Sequence, residues 1–172
     1  NPFPNEFREG VSLDIVERLR EGVNPFSDKA GRAFYYMYGF VFPWLAAWVS
    51  GLCGSNSYLV HRCVSLACTA LSAGLVSVVV YRTTRQKIYG VWAFLLMTVT
   101  AWVLNEANAR PDSLGLLCVA TLAVLLPSWG KRISGCLGLA LLTVTAFYVK
   151  QYCLFSGAVS FLCLLFINKR NA

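Results

Sequence analysis

The sequence predicts an all-α fold, a polytopic transmembrane helix bundle of about five spans. It also predicts an N-terminal amphipathic juxtamembrane helix and an aromatic interfacial or re-entrant helix. Two observations lead there: 57% of the 172 residues are hydrophobic and only 13% are charged, and apolar runs of membrane-crossing length follow one another. A soluble domain usually carries about 25% charged residues and has no such runs. We therefore exclude a water-soluble globule.

The five predicted spans are apolar runs long enough to cross a bilayer. A helix needs about 20 mostly apolar residues, within a range of about 17 to 25, to cross about 30 Å of hydrocarbon. The runs cover residues 57–81, 88–104, 113–129, 133–149 and 152–168. Since Lys150 and Gln151 alone separate the last two runs, we expect a tight helical hairpin at that point.

Basic clusters predict which side of the membrane each loop faces. They follow alternate spans and comprise Arg82, Arg85, Lys87, Lys131, Arg132, Lys169 and Arg170. By the positive-inside rule these loops are cytoplasmic. The formal charge of +7 therefore sets topology and does not indicate a nucleic-acid partner. We divide the chain into an extracytoplasmic loop with juxtamembrane helices (1–56) and a transmembrane bundle (57–172).

The first 33 residues predict an amphipathic helix lying at the membrane surface. Apolar residues recur at near-helical spacing, namely Val11, Ile15, Leu19 and Val23. Ser12 is a candidate cap for the start of this helix, and Gly22 is expected to end it. Such a helix usually lies in the interface plane, with its apolar side toward lipid or the neighbouring bundle.

The stretch from Phe34 to Cys53 allows two interpretations. It is long enough to span, but it is rich in aromatic residues and interrupted by Gly39 and Pro43. Enrichment in Tyr and Trp favours an interfacial or re-entrant helix. If the stretch spanned instead, the N-terminal segment would move to the cytoplasm while every later loop kept its side.

Charged residues on the predicted outer side are the candidates for chemistry. They lie where apolar runs meet water and include Glu6, Glu9, Arg62, Arg110, Asp112 and Lys150. Ionisable groups near membrane depth are costly unless they are paired or functional. Carboxylates and cations on one face suit a reaction in which a carboxylate takes a proton from a hydroxyl while cations neutralise a departing phosphate.

Several motifs resemble one family. NEFREG leading into an amphipathic segment, YGFVFPWLAAWVSGLCG, HRCVSLACTALSAGLVSVVVYR, ARPDSLGLL and FYVKQ occur in that order. Together they resemble the N-terminal part of a GT-C type membrane glycosyltransferase that uses polyprenyl- or dolichyl-phosphate sugars, like protein mannosyltransferases and aminoarabinose transferases. On this resemblance the chain is a fragment of a longer multi-pass protein of the bacterial inner membrane, preceded by a further helix.

The resemblance also implies roles for individual residues. The family's first-loop acidic pair matches Asn5 and Glu6, so the catalytic base is expected at Glu6 or Glu9, with Asp112 as a further catalytic acid. The donor-phosphate residues are expected to be Arg62, Arg110, Lys150 and Gln151. The implied reaction is inverting transfer of a sugar from a polyprenyl-phosphate donor to a hydroxyl of a lipid, glycan or protein. A divalent cation is compatible with it, but no metal ligands are predicted.

Simpler roles remain open for the same residues. Glu6, Glu9 and Asp112 are also typical of first-turn acids that offset a helix dipole. Arg62 and Lys150 are also typical of cations that reach up to lipid headgroups. His61 is expected to be an interface residue. The alternative functions are a transporter-like bundle and a non-catalytic membrane scaffold.

Overall fold

The computed structural model describes residues 7–26, 38–103, 108 and 110–169, and of the side chains it describes those of 9–26, 38–103, 108 and 110–166. Every regular element in these ranges is helical, which confirms the predicted all-α class. The α-helices are α1 (Phe7–Arg20), α2 (Val41–Leu52), α3 (Tyr58–Thr84), α4 (Lys87–Val103), α5 (Asp112–Trp129), α6 (Ile133–Val149) and α7 (Leu154–Lys169). A 3-10 turn, Gln151–Cys153, joins α6 to α7.

Two helices in the described part of the chain are long and apolar enough to cross a membrane by length and composition, α3 with 27 residues and α5 with 18. The other apolar helices are shorter: α4 and α6 have 17 residues each and α7 has 16. About five spans were predicted, but only two helices in the described part of the chain reach membrane-crossing length by this measure. The physical reason is the length of the apolar runs themselves, since runs of 17 residues lie at the lower limit of what crosses a bilayer.

The helix α1 forms, but its start was predicted wrongly. It begins at Phe7, so Ser12 lies inside it and does not cap it. Its buried face consists of Glu9, Ser12, Ile15 and Val16, since burial follows contact with α2 and α3 and not the apolar spacing alone. The predicted end is confirmed, since Gly22 has a φ of +74°. The Val23 amide donates to the Arg18 carbonyl at 2.9 Å, as in a glycine-terminated helix.

The aromatic stretch contains the 12-residue helix α2. Twelve residues rise about 18 Å, which is shorter than the hydrocarbon thickness, so this helix fits the interfacial or re-entrant interpretation better than a span. One face, with Phe42, Ala46 and Ser50, is buried against the bundle. The opposite face exposes Trp44 and Trp48, as expected of a helix beside headgroups.

The helices α3 to α7 run alternately up and down, so the bundle has two distinct ends. The starts of α3, α5 and α7 share one end with the finishes of α4 and α6, as contacts between successive helices show. We name this the polar end, and the end carrying Arg82, Lys87, Lys131 and Arg132 the basic end. Near the polar end, Leu114 of α5 packs against two buried clusters, one containing Phe42 and Val64 and one containing Ala146 and Val149. This packing fixes α2, α3, α5 and α6 around the polar end.

Candidate functional site

Three residues form an acid–cation cluster at the polar end. The Lys150 ammonium contacts Asp112 Oδ1, and the Tyr152 hydroxyl donates to the same oxygen at 2.8 Å. The Asp112 side chain is 12% exposed and that of Lys150 is 14% exposed, so the pair is largely shielded from solvent. Among the described residues, both hydrogen bonds to this carboxylate use Oδ1. An acid at the start of α5 is thus paired with a cation at the end of α6.

Local backbone structure explains why these groups meet. Asp112 is the first residue of α5 and follows Pro111, a residue that favours helix starts. Lys150 ends α6 in an extended conformation, and the following 3-10 turn brings Tyr152 back toward α5. The hairpin predicted around Lys150 and Gln151 is therefore present and is responsible for the cluster.

Two tyrosine rings flank the ammonium group of Lys150. Its nitrogen lies 4.8 Å from the ring centre of Tyr38 and 4.7 Å from that of Tyr152. Tyr38 reaches this position because the next residue, Gly39, packs directly against the backbone carbonyl of Tyr148. A side chain at position 39 would overlap that carbonyl. Aromatic faces attract cations, more strongly where water is excluded. The cluster therefore holds the Lys150 side chain in one place.

A cavity of about 320 Å³ lies beside the cluster, between α4, α5 and the 3-10 turn. Asp112 and Tyr152 of the cluster line it, and Lys150 lies behind them, paired with Asp112. The remaining lining is mainly apolar or small: Met97, Thr100, Ala101, Gly115, Leu116, Val119 and Cys153. A Cβ at Gly115 would lie 3.0 Å from the Cys153 sulfur, so glycine at this position allows the close approach of α5 to the turn. A mainly apolar cavity with a few polar groups in its lining suits an amphipathic ligand.

A second ion pair at the polar end joins α1 to α3. Arg62 donates from Nε to Glu9 Oε1 at 3.1 Å and from Nη2 to Glu9 Oε2 at 2.7 Å. The Glu9 side chain is fully buried, and that of Arg62 is 17% exposed. The Arg62 guanidinium also lies 5.6 Å from the ring centre of Tyr58. Both carboxylate oxygens of Glu9 are thus engaged by one cation.

Asn56 makes a further polar link between α1 and α3. Its amide nitrogen donates to the Leu13 carbonyl at 3.3 Å and to Glu17 Oε2 at 2.5 Å. Its carbonyl oxygen lies 2.9 Å from His61 Nε2. His61, which was predicted to be an interface residue, has a fully buried side chain. The polar surface of α1 is therefore used to attach it to the bundle.

The backbone of Arg110 connects the two ion pairs. Its carbonyl accepts from Ser65 Oγ at 3.4 Å and from Ser113 Oγ at 3.3 Å. Ser65 lies one turn after Arg62 on α3, and Ser113 follows Asp112 on α5. The loop that begins α5 is thereby tied to the part of α3 that holds Glu9.

The predicted site residues fall into separate groups. Asp112 and Lys150 come together beside the cavity, while Glu9 and Arg62 come together away from its lining. Arg110 is half-buried between them, Gln151 is exposed in the 3-10 turn, and Glu6 lies outside the described residues. In the described ranges, no group of three His, Cys, Asp or Glu side chains is arranged to hold a metal ion.

Sequence reasoning missed several contributors to these groups. Tyr38 was assigned to a membrane-interface belt, and Tyr152 to the start of a span. A signal for Tyr152 existed, since it follows Lys150 and Gln151 at the predicted hairpin. For Asn56 and Ser65 the sequence carried no signal, because their partners come from distant helices.

Comparison of the chain with protein-family models, with curated proteins and with solved structures finds no match. The candidate site is therefore defined by its own geometry: an acid, a cation and two tyrosines beside a mainly apolar cavity.

Proposed function

We propose that this chain is part of a GT-C type integral membrane glycosyltransferase. It transfers a sugar from a polyprenyl-phosphate donor to a hydroxyl acceptor on the extracytoplasmic side, with inversion. The observation that carries the proposal is the position of Asp112, Lys150 and Tyr152 beside a mainly apolar cavity. A lipid phosphate needs both parts, a cation for its head and an apolar space for its chain.

The proposal places α3 to α7 across a bacterial inner membrane as five spans. Helices of 17 residues, such as α4 and α6, rise about 25 Å, at the lower limit of what crosses a bilayer. Large apolar side chains are exposed along these helices, among them Leu96, Leu141 and Phe161. Water does not favour such surfaces, whereas lipid does. Exposed aromatics near both ends, such as Trp102 and Trp129, suit the two interfaces.

The reaction step is a direct displacement. The acceptor oxygen attacks the anomeric carbon, its proton passes to a carboxylate, and the bond between that carbon and the phosphate oxygen breaks. The lipid phosphate leaves with the bonding electron pair. Lys150 neutralises this developing charge, and Tyr152 and Asp112 hold Lys150 in place. Gln151, exposed beside Lys150, and Arg110, near Asp112, are proposed as further donor-phosphate contacts.

The base in this proposal is Glu6, and Glu9 has a positioning role. A general base needs access to the hydroxyl from which it takes a proton. Glu9 is fully buried and accepts two hydrogen bonds from Arg62, so its carboxylate is committed to that cation. Glu9 thus holds Arg62 at the polar end, where Arg62 is a second source of positive charge for the donor phosphate.

A divalent cation fits poorly at the Asp112 cluster. The donor set there is a single carboxylate, and its Oδ1 already accepts from an ammonium group and a hydroxyl. Metal sites for Mg²⁺ or Ca²⁺ favour several oxygen ligands without a neighbouring cation. We therefore derive the mechanism without a metal-dependent step.

The test compares Asp112→Asn with Arg82→Gln, an exposed cation at the basic end, in membranes that contain the protein. The measurement is release of polyprenyl phosphate from lipid-linked sugars labelled metabolically in the host. We expect Asp112→Asn to slow release about tenfold or more, because Lys150 loses its charged partner. Arg82→Gln should leave it unchanged. Equal release in both variants would contradict the proposal, and substrate uptake without sugar transfer would favour the transporter.

A further inference from the structure

The basic end of the bundle contains a second cavity, distinct from the candidate active site. Its volume is about 570 Å³, and it lies at the turn between α5 and α6. We name it the turn pocket. It is lined by Ser128, Trp129, Lys131, Arg132, Ser134 and Gly135. Because α5 begins at the polar end and finishes here, the two cavities lie at opposite ends of the bundle.

The turn pocket combines three features that attract an anion. Lys131 and Arg132 are exposed, and neither forms a salt bridge with an acid among the described residues. The helix α6 starts at Ile133, and its N-cap residue, Arg132, gives no side-chain hydrogen bond to the first turn. The backbone N–H groups of the first turn of α6 thus have no side-chain cap. They lie at the positive end of the helix dipole, where the turn pocket is. Ser128 and Ser134 add hydroxyl groups to the lining.

Close packing holds the turn pocket in shape. The Trp129 ring lies where a side chain at position 138 would be, since a Cβ at Gly138 would come within 2.6 Å of it. A Cβ at Gly135 would come still closer to the Trp129 carbonyl oxygen. The Arg132 amide also donates to the Trp129 carbonyl at 3.1 Å. The two cations are thus attached to a tightly packed turn.

We propose that the turn pocket binds the phosphate of an anionic lipid headgroup. The choice of a lipid follows from its surroundings, because the exposed apolar side chains of Ile133 and Leu137 continue down α6 from the pocket. A phosphate held by Lys131 and Arg132 would place its acyl chains along that surface. Basic pockets between helices on the cytoplasmic side are suited to anionic headgroups. The inference depends on the proposed membrane embedding but not on the proposed transfer reaction.

The test measures lipid binding to the purified 172-residue chain by native mass spectrometry. The protein is released from micelles that contain phosphatidylglycerol and phosphatidylcholine in equal amounts. The pocket variant is Lys131→Gln with Arg132→Gln. The control, Arg82→Gln with Lys87→Gln, removes two exposed charges from the same end outside the pocket. We expect the pocket variant to weaken phosphatidylglycerol binding about tenfold and the control to change it by less than about twofold.

Each other outcome overturns the proposal. Equal losses in the two double variants would indicate a diffuse basic surface, and retained binding in both would exclude the pocket. If excess inorganic phosphate displaced phosphatidylglycerol and itself stayed bound to the protein, the pocket would be a site for a soluble phosphate and not for a lipid. If the double variant fails to fold, the single changes Lys131→Gln and Arg132→Gln replace it, and each should weaken binding about threefold. Vesicle flotation of the wild type tests membrane embedding separately.

Discussion

The two ion pairs at the polar end use the same chemistry in different settings. Glu9 and Arg62 share two hydrogen bonds, and the carboxylate is fully buried between α1 and α3. Asp112 and Lys150 meet through a single carboxylate oxygen beside a cavity, with two tyrosine rings around the ammonium. The first pair is saturated by its own partners, whereas the second faces a space for a ligand. The comparison indicates that Glu9 and Arg62 attach α1, and it supports the proposal that Asp112 and Lys150 act on a ligand.

The largest effect is expected from breaking the first pair. Glu9→Gln leaves the mostly buried Arg62 cation without its counter-charge and should destabilise the protein by about 3 to 5 kcal/mol. Thermal unfolding in detergent measures this loss. Changing both partners to Gln removes the uncompensated charge and should recover a large part of the stability. If Glu9→Gln unfolds at the wild-type temperature, the proposed attachment of α1 through this pair is wrong.

The next effect is expected from Lys150→Gln, which should lower turnover per folded molecule and also cost some stability, because the Asp112 side chain, 12% exposed, loses its counter-charge. Removing a charge-assisted contact to the leaving phosphate costs about 1.5 to 3 kcal/mol of transition-state stabilisation, a loss of about tenfold to 150-fold in rate. Lys150→Arg should restore part of the rate because it retains the charge. Release of polyprenyl phosphate per folded molecule measures both variants. If Lys150→Gln lowered only the melting temperature, Lys150 would have a structural role like that of Glu9 and Arg62.

A smaller effect is expected from Gly39→Ala, which tests how Tyr38 is positioned. The new methyl group would overlap the Tyr148 carbonyl, so the backbone must shift and Tyr38 should move away from Lys150. We expect a loss of about 1 to 3 kcal/mol in stability, together with lower turnover. Gly51→Ala is the matched control, since no atom lies within 4 Å of its added methyl group. That change should be neutral or should stabilise α2 by about 0.5 to 1 kcal/mol. Equal melting temperatures for the two variants would argue against the close contact.

The smallest effect is expected from Tyr152→Phe. This change removes the 2.8 Å hydrogen bond to Asp112 but keeps the ring that faces Lys150. A hydrogen bond to a charged group contributes about 1.5 to 3 kcal/mol, but this one acts on the transition state only through the position of Lys150, so the rate should fall by no more than about twofold to tenfold. Tyr152→Leu removes the ring as well and should be slower than Tyr152→Phe in the same transfer assay. Equal rates in these two variants would show that the Tyr152 ring does not contribute to the position of Lys150.

The sequence predicted the helices of the bundle well, because apolar length and turn residues determine where such helices lie. The run 133–149 coincides with α6, and the run 113–129 differs from α5 by one residue. The start of α1 was misplaced because Ser12 is a good cap in isolation, yet it is buried within the helix. The spans were overcounted because runs of 17 residues were accepted as spans, and α4, α6 and α7 are no longer than those runs.

The sequence predicted which residues belong to the candidate site, but it did not predict which of them pair with each other. Asp112, Lys150, Glu9 and Arg62 were identified from charge in an apolar background. Glu9 and Arg62 are 53 residues apart and Asp112 and Lys150 are 38 apart, so which acid meets which cation depends on helix packing. The cavity also depends on packing, because its lining comes from three separate elements. No local sequence pattern encodes such a space.

The most direct test of the central claim is to locate a bound polyprenyl phosphate on the chain. A photoreactive polyprenyl phosphate is crosslinked to the protein in membranes, and the labelled peptides are identified by mass spectrometry. The account predicts crosslinks on α4 and α5 at cavity residues such as Met97 and Leu116, competed by unlabelled polyprenyl phosphate and reduced in Lys150→Gln. Crosslinks confined to the basic end, or spread evenly along all the helices, would contradict it.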